Sequence, residues 1–274
     1  MPARRARISR ASRNETFSNS PTNVKTSPFL PQAQQRKFDS FLYKLDVRGG
    51  DHVLEIGCGW GGFAIHAAAT RGCRVTGITI SQEQFDLARQ RVAAAGLADR
   101  VDVRLCDYRD LSGRFSKIVS IEMLEAVGRE HWPAFFAKCH EVLAPGGTIG
   151  IQTISMPDHR FEAYARHVDW IQKYIFPGGL LPSISELCRA MAVGTPLTIR
   201  QVTDIAPHYA KTLARWKRAF FDRLPDVRAL GFDDRFVRMW DFYLSTCEAA
   251  FRTRSLGNLQ LVIGRAGEVP RDGR

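Results

Sequence analysis

The chain has 274 residues, of which 45% are hydrophobic and 24% are charged, as expected for one large globular domain. No run of 18 apolar residues is present and the Arg-rich start has no apolar signal core, so we expect neither a spanning helix nor secretion. The net charge of +11 favours an anionic partner, or reflects arginines on solvated faces. Because no aromatic-flanked basic motif occurs, we expect no nucleic-acid partner.

The cysteines are scattered, with no Cys-x-x-Cys pair and no histidine at metal-ligand spacing. This pattern argues for reduced thiols in the cytoplasm, without disulfides and without a bound metal. The six positions are Cys58, Cys73, Cys106, Cys139, Cys188 and Cys247.

The first half of the chain alternates between helix and strand patterns. Residues 1–30 are rich in Arg, Ser, Asn, Thr and Pro, and the composition predicts a disordered basic tail. Alternation of this kind predicts a mostly parallel sheet with helices on both faces. The predicted helices are 31–45, 63–70, 82–95 and 132–143, and the predicted strands are 53–56, 73–80, 101–105, 115–121 and 148–154.

The second half departs from this rhythm. An aromatic-rich segment at 157–196 predicts a helical cap insertion, whose aromatic side chains either form its core or partly line an apolar channel. A returning strand at 197–205, amphipathic helices at 212–224 and 236–251, and an antiparallel edge strand at 259–263 follow. The predicted domain therefore covers 31–264, and 265–274 are predicted to be a flexible tail.

An apolar strand at 53–56 runs directly into a glycine-rich loop, Gly57-Cys-Gly-Trp-Gly-Gly62. Glycines let the backbone approach a nucleotide-like ligand, towards which the next helix points its N–H groups. An NAD site also needs an acid about 20 residues later, but the second strand ends in Thr79, Ile80 and Ser81. The pattern therefore favours S-adenosylmethionine (SAM) over NAD, with a purely structural turn as the alternative.

Several further blocks occur in a fixed order along the chain. They are Gly-Ile-Thr-Ile-Ser-x-x-Gln (77–84), Asp-Tyr-Arg-Asp (107–110), Val-Ser-Ile-Glu-Met-Leu-Glu-Ala-Val-Gly (119–128), Tyr-Ile-Phe-Pro-Gly-Gly (174–179), Tyr-x-x-Thr-Leu-x-x-Trp (209–216) and the Arg-Met-Trp block within 236–252. Together with the glycine loop, they resemble the cyclopropane-fatty-acyl-phospholipid synthase family over roughly residues 33–263. The resemblance implies an α/β, Rossmann-like class I methyltransferase fold, doubly wound and mostly parallel.

The resemblance implies a SAM-dependent C-methyltransferase acting on cis-unsaturated acyl chains of phospholipids. Methyl transfer to an alkene leaves a carbocation, so the pocket must be dry and a base must remove one proton. In the resembling enzymes that base is thought to be a bound bicarbonate. By the same resemblance, Glu125, Tyr209 and Gln152 are the catalytic residues. Those that bind SAM are Glu55, Gly57, Cys58, Gly59, Gly61, Thr79, Gln84, Asp107 and Tyr108.

These assignments have structural alternatives. Glu125 could be a solvated helix-start charge, Tyr209 could only pack, and Asp107 with Tyr108 could form a simple turn. Gln152 stands where many family members have a histidine, and its amide can donate a hydrogen bond but cannot take up a proton. Glu122 is interpreted as a surface or supporting group.

The resemblance also bears on partners and location. It implies a cytoplasmic protein at the inner face of an anionic membrane, and it leaves a homodimer open. The family's N-terminal segment, which covers SAM, is not recognisable ahead of Phe38, and we expect a more open cofactor site. Two alternatives therefore remain: a methyltransferase of a soluble small molecule, and a truncated SAM-binding protein with little or no activity.

Overall fold

The computed structural model describes residues 29–269, and these form a seven-stranded sheet with helices on both faces. Of the predicted tails, 1–28 and 270–274 lie outside the described residues, while Arg265, predicted to begin the second tail, is the last residue of the last strand. The strand order is β3-β2-β1-β4-β5-β7-β6. The strands are β1 (His52–Ile56), β2 (Arg74–Thr79), β3 (Val101–Leu105), β4 (Phe115–Ile121), β5 (Leu143–Ser155), β6 (Leu197–Asp204) and β7 (Gly257–Arg265).

Ten α-helices connect or cover these strands within residues 29–269. The segment between β5 and β6, predicted as a cap, holds three of them. No helix in the described part of the chain is both long and apolar enough to cross a membrane. The helices are α1 (Phe29–Lys44), α2 (Gly62–Arg71), α3 (Gln82–Ala94), α4 (Trp132–Val142), α5 (Asp158–Ala165), α6 (Trp170–Tyr174), α7 (Ile184–Ala192), α8 (Ala206–Asp222), α9 (Leu224–Ala229) and α10 (Asp234–Arg252).

The predicted fold class is confirmed, but the position of the last strand is wrong. β7 was expected at the edge of the sheet, and it lies inside, antiparallel to both β5 and β6. All of its residues after Gly257 are buried, whereas β6 exposes half of its positions. The polar sequence Leu-Thr-Ile-Arg-Gln-Val-Thr-Asp of β6 tolerates the solvated edge, and the apolar β7 does not.

α1 lies across the sheet and closes one face of the core. Its buried side chains Phe41 and Leu42, together with Leu45 just beyond the helix, belong to the same hydrophobic cluster as Val53 of β1. The approach is closest at Gly150 of β5, where an added Cβ would lie 2.7 Å from Phe41 Cδ1. The helix can therefore pack against β5 only because this position has no side chain.

Replacing Gly150 by alanine should push α1 away from the sheet. The Phe41 ring is fully buried and has nowhere to move. We therefore expect Gly150→Ala to lower the free energy of unfolding by about 1–3 kcal/mol, measured by urea denaturation followed by circular dichroism. Gly50→Ala is the matched control, because an added Cβ there meets no atom within 4 Å. Equal stability of the two variants would contradict this packing.

Candidate active site

The candidate site lies at the carboxyl edge of the sheet, between β1 and β4. The strand order reverses there, since β2 and β3 lie on one side of β1 while β4 and β5 lie on the other. In open parallel sheets, ligands bind in the crevice at this reversal point. The glycine loop follows β1, and the segment holding Glu122 and Glu125 follows β4, so both border the same crevice.

The glycine loop has a backbone that only glycine adopts without strain. Gly57, Gly59 and Gly61 have φ of 81°, 52° and 79°. At Gly57 an added Cβ would also lie 2.7 Å from Met123 Cγ, which locks the loop against the segment after β4. At Gly59 an added Cβ would meet no protein atom within 4 Å, so that side of the loop is open. The loop is therefore shaped for close approach of a ligand.

Two buried side chains, Glu55 of β1 and Cys58 of the loop itself, pack behind the glycine loop. Glu55 is almost fully buried. Its carboxylate accepts a hydrogen bond from the backbone N–H of Ala64, in the first turn of α2, while the Oε2 atom of Glu55 has no partner. Burial raises the pKa of this carboxyl to about 8. Cys58 is buried behind the loop, where its Cβ would lie 2.9 Å from a Cβ added at Gly77. Their side chains thus hold the loop in place between β1 and β2.

The other residues predicted to bind SAM lie at the ends of β2 and β3. Thr79 donates a hydrogen bond of 2.7 Å to Gln84 Oε1, which ties the end of β2 to the start of α3. Asp107 accepts from the backbone and guanidinium of Arg109, and this pair lowers the pKa of the Asp107 carboxyl. The ring of Tyr108 packs edge-on against Phe135 at 5.5 Å. The structure thus brings the predicted cofactor residues to one edge.

Glu125 lies across the crevice, in a short 3₁₀ turn at Leu124–Ala126. Its Oε1 accepts a hydrogen bond of 2.7 Å from the backbone N–H of Ile154, while its Oε2 is buried without a partner. Burial, and then the charge of Glu122, raise the pKa of this carboxyl to about 7. Glu125 is therefore a poorly solvated acid, and the solvated helix-start alternative does not describe it.

Glu122 is the centre of the site, a role that the sequence interpretation missed. Its Oε1 accepts from Gln152 Nε2 at 2.7 Å and from Asn258 Nδ2 at 3.0 Å. Its Oε2 accepts from the Tyr209 hydroxyl at 3.0 Å. Burial, and then the negative charge of Glu122, raise the pKa of Tyr209, which therefore stays protonated and donates. Polar residues inside the apolar strands β5 and β7 were the signal that could have pointed to this cluster.

An aromatic wall adjoins these carboxylates. Tyr209, in the first turns of α8, packs edge-on against Phe251 at 4.9 Å and against Trp216 at 6.1 Å. The cap adjoins the backbone of Glu125, since the backbone N–H of Leu180 donates to the Glu125 backbone carbonyl at 2.9 Å. The site is thus apolar on one side and carries two acids on the other.

Two small molecules implied by the resemblance can be tested against these contacts. SAM fits: the open side of Gly59, the N-terminus of α2, and the Thr79–Gln84 pair offer it a cradle beside the acids. Bicarbonate does not fit. Gln152 and Tyr209, which would donate to it, point at the Glu122 carboxylate, whose negative charge would also repel a second anion.

The fold and the glycine loop define the class: this chain has the class I, Rossmann-like fold of SAM-dependent methyltransferases. The family model described as mycolic acid cyclopropane synthetase matches residues 20–261. The chain therefore belongs to this family.

Relatives with curated descriptions agree with this assignment. The chain is 48% identical over 238 residues to the tuberculostearic acid methyltransferase UfaA1 of Mycobacterium tuberculosis. It is 37% identical over 240 residues to the cyclopropane-fatty-acyl-phospholipid synthase of Escherichia coli. Each match covers 87% of this chain but only 56% and 60% of the relative, so the chain spans little more than half of their length.

Solved structures match over most of both chains. The cyclopropane synthase MmaA2 of Mycobacterium tuberculosis superimposes with a TM-score of 0.78 at 28% identity, covering 85% of each chain. The mycolic acid cyclopropane synthase CmaA1, solved with SAH and CTAB, also gives a TM-score of 0.78 at 30% identity and covers 85% of this chain and 84% of that one.

Gly59 provides a test of the cofactor cradle. Gly59→Ala and Gly96→Ala each place a methyl group in open space at positive φ, 52° and 67°. Both should therefore lose about 1–2 kcal/mol of stability from left-handed strain. Gly96 lies beyond the far end of α3, so only Gly59→Ala should weaken SAM binding, by at least about tenfold in calorimetric titration. Equal SAM affinities would contradict the cradle.

The raised pKa of Glu125 predicts a specific pH dependence. An acid whose pKa rises from 4.5 when unfolded to about 7 when folded binds more protons in the folded state. Its contribution to the free energy of unfolding therefore falls as pH rises through this window. Glutamine does not titrate. As the pH is raised from 4.5 to about 7, the free energy of unfolding of wild type should therefore fall relative to that of Glu125→Gln by up to about 3 kcal/mol, measured by urea denaturation.

The exposed Glu130 supplies the control for this experiment. Its side chain is 73% exposed, and Glu130→Gln should leave the pH profile of the wild type in place. A constant stability difference between wild type and Glu125→Gln across the window would contradict the buried, proton-binding acid.

Proposed function

We propose that this chain transfers a methyl group from SAM to a cis double bond in a phospholipid acyl chain, with later loss of one proton. The product is a cyclopropane or a methylene-branched chain, depending on which C–H bond gives up its electrons. The observation that carries the proposal is the pair of acids, Glu122 and Glu125, facing the cofactor loop beneath an aromatic wall. The similarity to a tuberculostearic acid methyltransferase and to a cyclopropane-fatty-acyl-phospholipid synthase supports the same reaction class.

The residues match what this chemistry requires. SAM supplies an electrophilic methyl group on a sulfonium, and an alkene is a weak nucleophile that needs a dry, apolar environment. The rings of Tyr209 and Phe251 provide apolar surface, while Trp216, packed on the outer side of Tyr209, is 43% exposed. Aromatic faces also stabilise a nearby cation, and the two acids add negative charge. Glu125, with its buried and unpartnered Oε2, orients the reacting segment.

We further propose that the chain works in the cytoplasm at the inner face of an anionic membrane. The net charge of +11 supports this location. So do the exposed apolar side chains Phe221 and Leu230 near the connection from α8 to α10, which lie among exposed arginines such as Arg218 and Arg223. Apolar and basic side chains together favour the interface of an anionic bilayer. A homodimer stays a prediction.

The test is turnover with lipid vesicles. Purified protein is incubated with methyl-labelled SAM and vesicles of a cis-unsaturated phosphatidylglycerol, and the fatty acids are analysed by mass spectrometry. We expect a mass gain of one CH₂ group with the label retained. Vesicles of the fully saturated lipid are the matched control, because they offer no alkene.

SAM binding is measured in parallel by calorimetric titration. Binding without a mass gain would contradict the acyl-chain substrate and favour a soluble small molecule. Absence of SAM binding would contradict the proposed methyltransferase activity altogether.

A further inference from the structure

The backbone at Glu122 is held in a conformation that a glutamate rarely adopts. Its φ is +52°, in the left-handed region, which costs about 1–2 kcal/mol for a residue with a side chain. The surrounding structure enforces it, since the Glu122 N–H donates to the carbonyl of Gln152 at 2.8 Å. Strain of this kind persists at functional sites, where the side chain itself is needed.

A chain of hydrogen bonds fixes which way the neighbouring amides point. Gln260 Oε1 lies 2.6 Å from Lys44 Nζ, and an ammonium can only donate. Gln260 Nε2 must therefore face Gln152 Oε1, to which it donates at 3.2 Å. Gln152 in turn has only its Nε2 left for Glu122. Lys44 thus orients two buried amides, so that Gln260 donates to Gln152 and Gln152 donates to the Glu122 carboxylate.

This arrangement engages every side-chain donor group at the centre of the site with Glu122, while two buried acceptor oxygens stay open. The three donors at the centre of the site, Gln152 Nε2, Asn258 Nδ2 and the Tyr209 hydroxyl, all point at Glu122. The buried atoms without a partner here are oxygens, Glu125 Oε2 and Asn258 Oδ1. An anion such as bicarbonate needs donors, and it would also meet the negative charge of Glu122. The anion position is therefore filled by a side chain of the protein itself.

We propose that the Glu122 carboxylate takes the place of an exogenous bicarbonate and is the proton acceptor of the reaction. The inference rests on the function proposed above. In the step, the methylated acyl cation loses one proton to Glu122 Oε2. The electron pair of the broken C–H bond forms either the third C–C bond of a cyclopropane or the C=C bond of a methylene branch. The cation is neutralised, and Glu122 becomes a neutral acid.

The contacts of Glu122 suit this role. All three of its partners are uncharged groups, so no hydrogen-bonded cation neutralises the carboxylate. Oε2 accepts from Tyr209 alone and has room for one more proton or donor. Lys37 on α1 contributes a more distant positive charge, which acts on both Glu122 and Glu55.

The first experiment measures anion binding without turnover. Glycine adopts the φ of Glu122 without strain, so Glu122→Gly should fold and expose the three donors. With the protein saturated by SAH, ¹³C-bicarbonate NMR should detect binding to Glu122→Gly with a dissociation constant of about 1 mM, and binding to the wild type at least tenfold weaker. Equal binding by both proteins would overturn the proposal.

The second experiment measures turnover in carbonate-free buffer. Glu122→Gln keeps the shape but not the base, and its rate should fall at least about 100-fold with SAM affinity unchanged. Glu122→Gly should be equally slow, and added bicarbonate or formate should raise its rate at least about tenfold, with no effect on the wild type. Glu130→Gln, exposed and on the same segment, should keep the wild-type rate.

The two proposals fail in different ways. If the wild type does not modify unsaturated lipid, the function fails, while the NMR comparison still decides whether Glu122 fills the anion position. If the wild type modifies lipid but needs bicarbonate, or if Glu122→Gln keeps the full rate, the function stands and the role of Glu122 is wrong.

Discussion

Three hydrogen bonds onto one carboxylate organise the active edge of this protein. Glu122 follows β4, and its partners come from β5, β7 and α8. Each partner is a buried or half-buried polar group that would be costly to leave unpaired. The same contacts therefore fasten the last strand and the helical half of the chain to the sheet that carries the cofactor loop. Structure and chemistry depend on the same interaction.

The electrostatics of the edge follow from this arrangement. Glu122 accepts three hydrogen bonds, and its negative charge, after burial, helps to raise the pKa of Glu125. Two acids in one crevice thus have different surroundings, a pattern typical of acid–base sites. The apolar rings beside Tyr209 keep the local dielectric low, which strengthens both effects.

Much of the fold was predictable because parallel α/β architecture has a strong local pattern. Apolar runs alternate with amphipathic ones, and the glycine loop after β1 requires positive φ wherever it occurs. The position of β7 was not predictable from its own sequence. The order of strands in a sheet depends on which strands have to be buried between neighbours. Because β6 is polar, it can lie at the solvated edge, and β7 lies between β5 and β6. Among the site residues, the cofactor loop was the most local feature and the most accessible to sequence reasoning.

The sequence by itself determined the family and the cofactor and made Glu125 and Tyr209 candidates, because these lie in contiguous motifs. Only the tertiary structure decided which groups Glu122 and Gln152 contact. Their partners lie up to 136 residues away along the chain, as in the contact between Asn258 and Glu122. The direction of each amide, moreover, is set by Lys44 from the opposite end of the network. Hydrogen-bond direction is a property of the assembled network, and no local pattern in the chain encodes it.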